Sequence, residues 1–554
     1  MERDSTPEPW PPPNISFPPL GANVTFAKVV VSIEKVLEAA IDVPYAYEQL
    51  TGSKLHSRLI RPLTKSLLPR NLHQQHRGIV LALLVARHRF LHDLGDYAYI
   101  ENGVQEARAM AAEIVAVRFL HHLVSDLERI EYLTFECPKN AETNELLDDL
   151  KSYKTSALEI AIVDDARKFL CSSPVEDVLT GIWDGKIVFW NEINTSSVKT
   201  PHLYEHPWSG FSTSGKQYDM FARLRVPRYR SFFMMVNYAI LLALFYALLF
   251  KTSSELLRVT WTEVILHLWF SGFVLDEIAQ VRDAGSLGHY TADYWAVFDI
   301  CIVSTYIAFF VLRVWANFTQ NSDLASVAFD ILSLEGLLLI PRFFSFLAIF
   351  PYYGTLFPCL KELAKEFVKF LTLIFILYLG FFTTFSFLGR ASFSAGKMAW
   401  LLVLVFFGNS FTGFDSAPKI SPVFGPPLMI LFVTLTNILL ITVLVSILSQ
   451  RFSIMMLNAR EEYVAMFAST VADSMSNSDR MSYFYPPLNI AGLLLRPLRL
   501  FYTHNQFREL RVNVLKITHF PIALLVYAYE ASIAIYERRV DRFRPTHRRL
   551  VGSF

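Results

Sequence analysis

Six apolar stretches, 231–250, 260–281, 293–314, 322–340, 367–389 and 427–450, occupy the middle of this chain. A bilayer core of about 30 Å calls for roughly 20 apolar residues per crossing helix. In lipid each backbone N–H and C=O must also be satisfied within the structure, which leaves helices as the open solution for such segments. A mainly α, six-span membrane protein is therefore predicted. Between the fifth and sixth stretches lies a shorter apolar piece, KMAWLLVLVFF (397–407), too short to cross. It predicts a re-entrant helix ending at Gly408.

The text around that point is VFFGNSFTGFDSAPK (405–419), an apolar run that breaks into small polar residues, meets one acid and ends in Pro and Lys. Polar backbone at membrane depth is tolerated where it lines a water-filled cavity. Four spans, a linker, a fifth span, a short re-entrant helix, a polar turn and a sixth span are together the parts of a tetrameric cation channel in which each chain supplies a quarter of the pore. Gly408 and Gly413 are expected to turn backbone carbonyls toward the axis, and Asn409, Ser410 and Thr412 to ligate a partly hydrated ion. Four copies of Asp415 would ring the pore mouth; the alternative is that Asp415 caps a turn or pairs with Lys419. In the sixth span Thr434, Asn437, Ile441, Leu444 and Leu448 recur at helical spacing. The first two would line a wet cavity and the last three would narrow it as a gate.

Composition explains the remainder. The 554 residues are 53% hydrophobic yet 18% charged, so a sizeable aqueous part accompanies the spans. Residues 24–230 repeat apolar positions every three or four and read as a cytosolic helical domain, after a Pro-rich lead (1–23) expected to be disordered rather than a signal peptide. The remaining divisions are a four-span bundle (231–345), a linker (346–366), a pore domain (367–452) and a cytosolic C-terminal helical region (453–554). Two apolar but interrupted segments in that last region, 485–501 and 517–536, read as helices packed on the N-terminal domain or lying at the membrane surface, with a seventh crossing as the alternative.

Several function classes fall away. A formal charge of +1 with no basic, aromatic-interleaved stripe argues against nucleic acid. The four cysteines stand without CxxC spacing, which suggests reduced structural thiols. His92, Asp93 and Asp96, and likewise His121, His122 and Asp126, lack the spacing of a hydrolytic or zinc motif, so no enzyme is expected. A secondary transporter, the remote alternative, would show two similar halves with broken spans, and no such repeat is visible. The fourth span carries Arg342 alone, with Asp330 and Glu335 inside it, which disfavours a voltage sensor. Basic flanks number ten against five in favour of cytosolic termini. That orientation puts the sequon at Asn317 on the opposite side.

The strings LLLIPRFFSFLAIFPYYGTLFPCLKELAKEFVKF (337–370), FFGNSFTGFD, FGPPLMILFVTLTNILLITVLVSILS, AREEYVAMFAST and YPPLNIAGLLLRPLRLF resemble the fungal vacuolar transient receptor potential (TRPY-type) cation channels. The resemblance runs from about the first span through the post-pore region, with a looser fit over the N-terminal domain. It implies a homotetrameric, calcium-permeable, non-selective cation channel of the vacuolar membrane, controlled by stretch, cytosolic calcium and phosphoinositides. The alternative within the same superfamily is a plasma-membrane or ciliary channel. Basic residues on the expected cytosolic side, Arg228, Arg230, Arg342, Lys361 and Lys365, are candidate phosphoinositide contacts. Related channels hold a regulatory calcium with Glu and Gln three apart and Asn and Asp three apart. Glu277, Gln280 and Asp299 match here, whereas Ala296 replaces the Asn, so Asp276, Asp293 or water would have to supply oxygen. The family often ends in an acidic cluster, and this chain carries the basic ERRVDRFRPTHRRLVGSF instead.

Overall fold

The computed structural model describes residues 24–52, 59–67, 76–92, 99–123, 125–136, 156–189, 201–204, 220–251, 257–283, 294–348, 350–476 and 484–543. Asp93, Asp96, Cys137, Asp293, the lead and the part of the basic end beyond Phe543 lie outside them. The fold is mainly α-helical, and by backbone contacts it divides into two units, residues 1–347 with 464–554, and residues 348–463.

In the first unit the N-terminal helices pack as their apolar periodicity requires. Helix α1 (Phe26–Ala40) turns Val29, Val30, Ile33 and Leu37 inward. Helix α2 (Ile79–His92) is apolar nearly all round, and it is buried nearly all round. Against it lies α3 (Tyr99–His122). Where charge enters this core it is paired: Arg87 Nε donates to Glu113 Oε2 at 3.1 Å and its Nη1 to the Asp164 carbonyl at 3.1 Å. Of the residues in the two His/Asp sets, His122 Nδ1 lies 2.7 Å from the Arg118 carbonyl, and Asp126 pairs with Arg129 at 2.9 Å. Burial, then the nearby Arg118 and Arg129, holds the His121 pKa below its usual value. Helix α4 (Ser173–Trp183) ends this part and leads into a two-residue hairpin, β1 (Ile187–Val188) with β2 (His202–Leu203).

Four long helices follow: α5 (Pro227–Lys251), α6 (Trp261–Asp283), α7 (Tyr294–Thr319) and α8 (Ser322–Leu347). They coincide with the first four expected spans, and α8 runs on past Pro341. Their shared core is aromatic, with Tyr238, Phe245, Phe270, Tyr306, Phe309 and Phe329 all buried and the Phe270 and Tyr306 rings stacked at 3.5 Å. Arg313, only 2% exposed, donates to both oxygens of Glu263 at 2.6 and 3.0 Å. A charge buried in such a bundle persists because its desolvation is offset by a bidentate partner. The Asn317 sequon lies in the last turn of α7.

The C-terminal part of this unit takes in most of α14 (Ala459–Ser476), α15 (Asn489–Leu494) and α16 (His504–Phe543). Asn489 Nδ2 donates to the Gly272 carbonyl of α6 at 2.5 Å. Any Cβ at residue 272 would come within 2.8 Å of Pro487 Cα, so glycine is what admits this close approach. Helix α16 buries Ala523 and Val526 against Leu224, just ahead of the first span. By length and composition alone, seven helices among the described residues could cross a membrane: the six expected ones and Asn505–Tyr536 within α16.

The second unit contains α9 (Pro351–Leu388), α10 (Ala395–Phe406), α11 (Ser410–Ile420), α12 (Gly425–Val433), a π-helical stretch (Thr434–Leu440) and α13 (Ile441–Leu457). The expected linker and fifth span are one helix of 38 residues. At 1.5 Å per residue it extends about 57 Å, further than a bilayer core needs. Phe385, Met398, Leu402, Val405, Met429 and Phe432 form the buried core. The short apolar helix is present as expected, bounded by Ser394 and Phe407.

Candidate ion-conduction site

The candidate filter is the turn that ends α10. Gly408 has φ +101°, in the left-handed region that glycine enters without a Cβ penalty. Its N–H donates to the Val405 carbonyl at 3.1 Å, and the Asn409 N–H donates to the Leu404 carbonyl at 2.9 Å. Those two bonds are the Schellman arrangement, in which a helix satisfies its last carbonyls by turning over a left-handed residue. The chain then starts a second helix at once. Asn409 caps it, with Oδ1 accepting from the Thr412 N–H at 3.4 Å and from Thr412 Oγ1 at 2.9 Å.

This geometry corrects the expected filter. Residues 410–420 are a helix, so Ser410 begins an element and Gly413 lies inside one. Gly413 is buried, and a Cβ there would meet Val405 Cγ2 at 2.6 Å and Met429 Sδ at 3.1 Å. Its role is close packing of α11 against α10 and α12. The irregular backbone shrinks to Phe407, Gly408 and Asn409, all exposed. Asp415 projects from α11, 62% exposed, with Lys419 Nζ 2.8 Å from Oδ2. Of the two readings of Asp415, the Lys419 pair is thus present, though an exposed i,i+4 pair contributes only about 0.3–0.5 kcal/mol.

The expected cavity face divides at the π stretch. A π turn carries more residues than an α turn, so side chains on either side of it lose their common register. Asn437 points its Nδ2 at the Val405 carbonyl, 3.2 Å away. Thr434 and Ile441 are exposed, whereas Leu444 and Leu448 are half-buried.

The expected calcium ligands do not form a cation site. Both Asp299 oxygens accept from Arg342, Oδ1 from Nε at 2.6 Å and Oδ2 from Nη2 at 2.7 Å. Arg342 Nη1 also donates to Ser345 Oγ at 2.5 Å, and its guanidinium lies 5.5 Å from the Trp295 ring. Gln280 Nε2 donates to Asp276 Oδ2 at 3.3 Å, and Glu277 is buried. An arginine already supplies the positive charge that Asp299 requires, so this donor set does not fit calcium. The same bond removes Arg342 from the candidate lipid contacts. Of the others, Lys361 is exposed, Lys365 pairs with Glu362, Arg230 is half-buried, and Arg228 Nη1 lies 3.4 Å from Asp184 Oδ1.

The model of the family described as "Calcium channel YVC1-like, C-terminal" matches residues 237–531, more than half of the chain. The chain belongs to the YVC1-like calcium-channel family. A second model, the TRPY1 N-terminal linker helical domain, matches residues 26–207. Calcium channel YVC1 of Candida albicans (strain SC5314 / ATCC MYA-2876) is 21% identical over 479 residues, covering 85% of this chain and 68% of that protein. Its namesake from Saccharomyces cerevisiae (strain ATCC 204508 / S288c) is 23% identical over 392 residues, covering 68% of this chain and 56% of its own length. The fold is similar to that of PI3P- and calcium-bound full-length TRPY1 in detergent, with a TM-score of 0.64 at 17% identity, over 94% of this chain and 89% of that one. The family is thus that of the fungal TRPY-type channels, multi-pass membrane proteins and not enzymes. Three of the four cysteines, Cys171, Cys301 and Cys359, are free thiols in this YVC1-like chain.

Proposed function

We propose that this chain is the pore-forming subunit of a homotetrameric, calcium-permeable, non-selective cation channel of the vacuolar membrane. It releases calcium to the cytosol under control of stretch, cytosolic calcium and phosphoinositides, with both termini cytosolic. The observation that carries this reading is the Gly408 turn between two short helices, set between α9 and α12. Such a turn leaves few backbone carbonyls for an ion, so hydration is only partly replaced and selectivity is weak. A stack of carbonyls long enough to select potassium would need an extended strand there. The calcium and PI3P bound to TRPY1 support the two regulators. Arg228, Arg230, Lys361 and Lys365 are the basic groups from which a phosphoinositide contact would draw.

The test is patch recording of the purified chain in liposomes, with calcium and then a phosphoinositide added to each side in turn. Unitary steps carried by potassium, sodium and calcium are expected, with calcium acting from one face. Smooth flux without unitary steps would indicate a transporter. Ile441, Leu444 and Leu448 are the proposed gate, because apolar rings close by dewetting. Leu444→Ser and Leu448→Ser should each raise basal current about tenfold, as a wetted ring no longer excludes ions. Wild-type basal current in both places the gate elsewhere.

Asp415 and Lys419 give a second test. Together they carry no net charge, so Asp415→Asn leaves each subunit one unit more positive at the mouth and Lys419→Gln one unit more negative. At low salt the first should lower calcium conductance about twofold and the second raise it comparably. Both differences should fade as salt screens the mouth. If neither variant departs from wild type at low salt, this pair is remote from the ion path.

A further inference from the structure

We propose that Asn437 is a positioning residue for the filter, holding the Gly408 turn through the carbonyl of Val405. This deepens the permeation reading above and rests on it. Val405 is the residue on which the turn closes: its carbonyl accepts the Gly408 N–H at 3.1 Å. The same carbonyl accepts Asn437 Nδ2 at 3.2 Å, from a residue 32 positions away. A carbonyl oxygen has two lone pairs, and here both are used, one by the turn and one by the sixth helix.

Four further features make the contact more than incidental. Val405 is fully buried, with Met398, Leu402 and Met429 in the same apolar core, so its carbonyl lies where an unmet hydrogen bond is costly. Asn437 sits inside the π stretch, and the extra residue that a π turn carries rotates the side chains after it by about 100° relative to an uninterrupted α-helix. The neighbouring Thr436 is buried and donates to the Phe432 carbonyl at 2.7 Å, which fixes the backbone beside Asn437. Gly413 then presses on the same residue from the other side, since a Cβ there would meet Val405 Cγ2 at 2.6 Å. Val405 is thereby held by its own helix, by α11 and by Asn437. The filter turn is a helix cap whose acceptor is fixed by the pore-lining helix, and ions pass beside the exposed residues Phe407, Gly408 and Asn409.

The consequence is that removing the Asn437 amide should change what passes through an open channel, and not only how often it opens. The experiment records unitary conductance in symmetrical potassium, and the reversal potential with potassium on one side and calcium on the other, for the full chain in liposomes. Asn437→Leu is close in size and cannot donate; Asn437→Ser is too short to reach, and reads the same quantity if the leucine variant does not assemble. Either should lower unitary conductance about fivefold, the population shift expected for one lost hydrogen bond to a buried acceptor, and move the reversal potential. Gly408→Ala, which strains the same turn, should do likewise. Because both act on one turn, combining Gly408→Ala with Asn437→Leu should cost no more than the worse of the two.

Unitary conductance and reversal potential at wild-type values in Asn437→Leu and Asn437→Ser, with only open probability altered, would overturn the proposal and leave Asn437 as part of the gate. Multiplicative losses in the double variant would overturn it as well. A wild-type chain that carries no current at all would overturn the permeation reading together with this inference, which separates the two failures.

Discussion

Asp299→Asn is expected to lower the thermal stability of the detergent-purified chain by the same amount with and without calcium. In the folded bundle Asp299 accepts two hydrogen bonds from Arg342, at 2.6 and 2.7 Å, and is 2% exposed. Removing one partner of such a pair strands the other's charge, which costs about 3–5 kcal/mol. The loss lies in the guanidinium left behind, so Arg342→Gln should be comparably damaging, and the charge swap Asp299→Arg with Arg342→Asp should recover part of it. A calcium ligand would behave in the opposite way. Its substitution would spare the calcium-free protein and abolish the stabilisation by calcium that mass action gives a binding ligand. Melting curves of the single variants and the swap, each with calcium and with chelator, decide between them. Stability at wild-type level in chelator for Asp299→Asn would restore the metal reading.

The second large effect is expected ahead of the first span. Arg223 Nε donates to Glu530 at 2.8 Å, its Nη1 donates to the Gly185 carbonyl at 2.7 Å, and Tyr229 donates to the same carboxylate at 2.8 Å. The Arg223 guanidinium carbon also stands 4.0 Å over the Tyr204 ring. Gly185, at φ +72°, has no room for a side chain, since a Cβ would meet Val226 at 2.7 Å. Five stretches of chain therefore converge on one buried ion pair: the turn after α4, Tyr204 just past β2, the short 3₁₀ helix Met220–Arg225, the start of α5 at Tyr229, and α16. Arg223→Met or Glu530→Gln alone should each cost about 3–5 kcal/mol, by leaving the other charge buried and unmatched. Arg223→Met combined with Glu530→Leu should be markedly less damaging than the sum, because an apolar pair of similar volume carries no stranded charge. The measurement is a double-mutant cycle on thermal unfolding, read together with protease cleavage within α16, which the loss of this anchor should expose. Additive effects in that cycle would mean that the two groups do not depend on each other.

These apolar helices were readable along the chain because the capacity to cross a bilayer is a property of one helix at a time. It requires a run of apolar residues of a given length, and six such runs became α5 to α9 and the segment from α12 through α13. The end of α10 at Gly408 was readable for a similar reason, since only glycine enters the left-handed cap cheaply. Helix α11 was not. Its text, SFTGFDSAPKI, holds Gly, Pro and Ser, all poor or neutral helix formers, so local preference points to a loop. What makes it helical is burial of Gly413, Ser416, Ala417 and Ile420 in the core of the second unit, which a one-dimensional reading does not contain. The charged residues show the same division. Arg342 reads as a cytosolic lipid contact while its partner, 43 residues earlier, is unknown; Arg313 and Glu263, 50 apart, drew no notice, and Arg223 and Glu530 are separated by 307. Sequence determined which segments are apolar enough to leave water, because that depends on composition over about 20 residues. Tertiary structure alone decided which charges go with them, because a buried charge is tolerated only by the partner that folding brings to it.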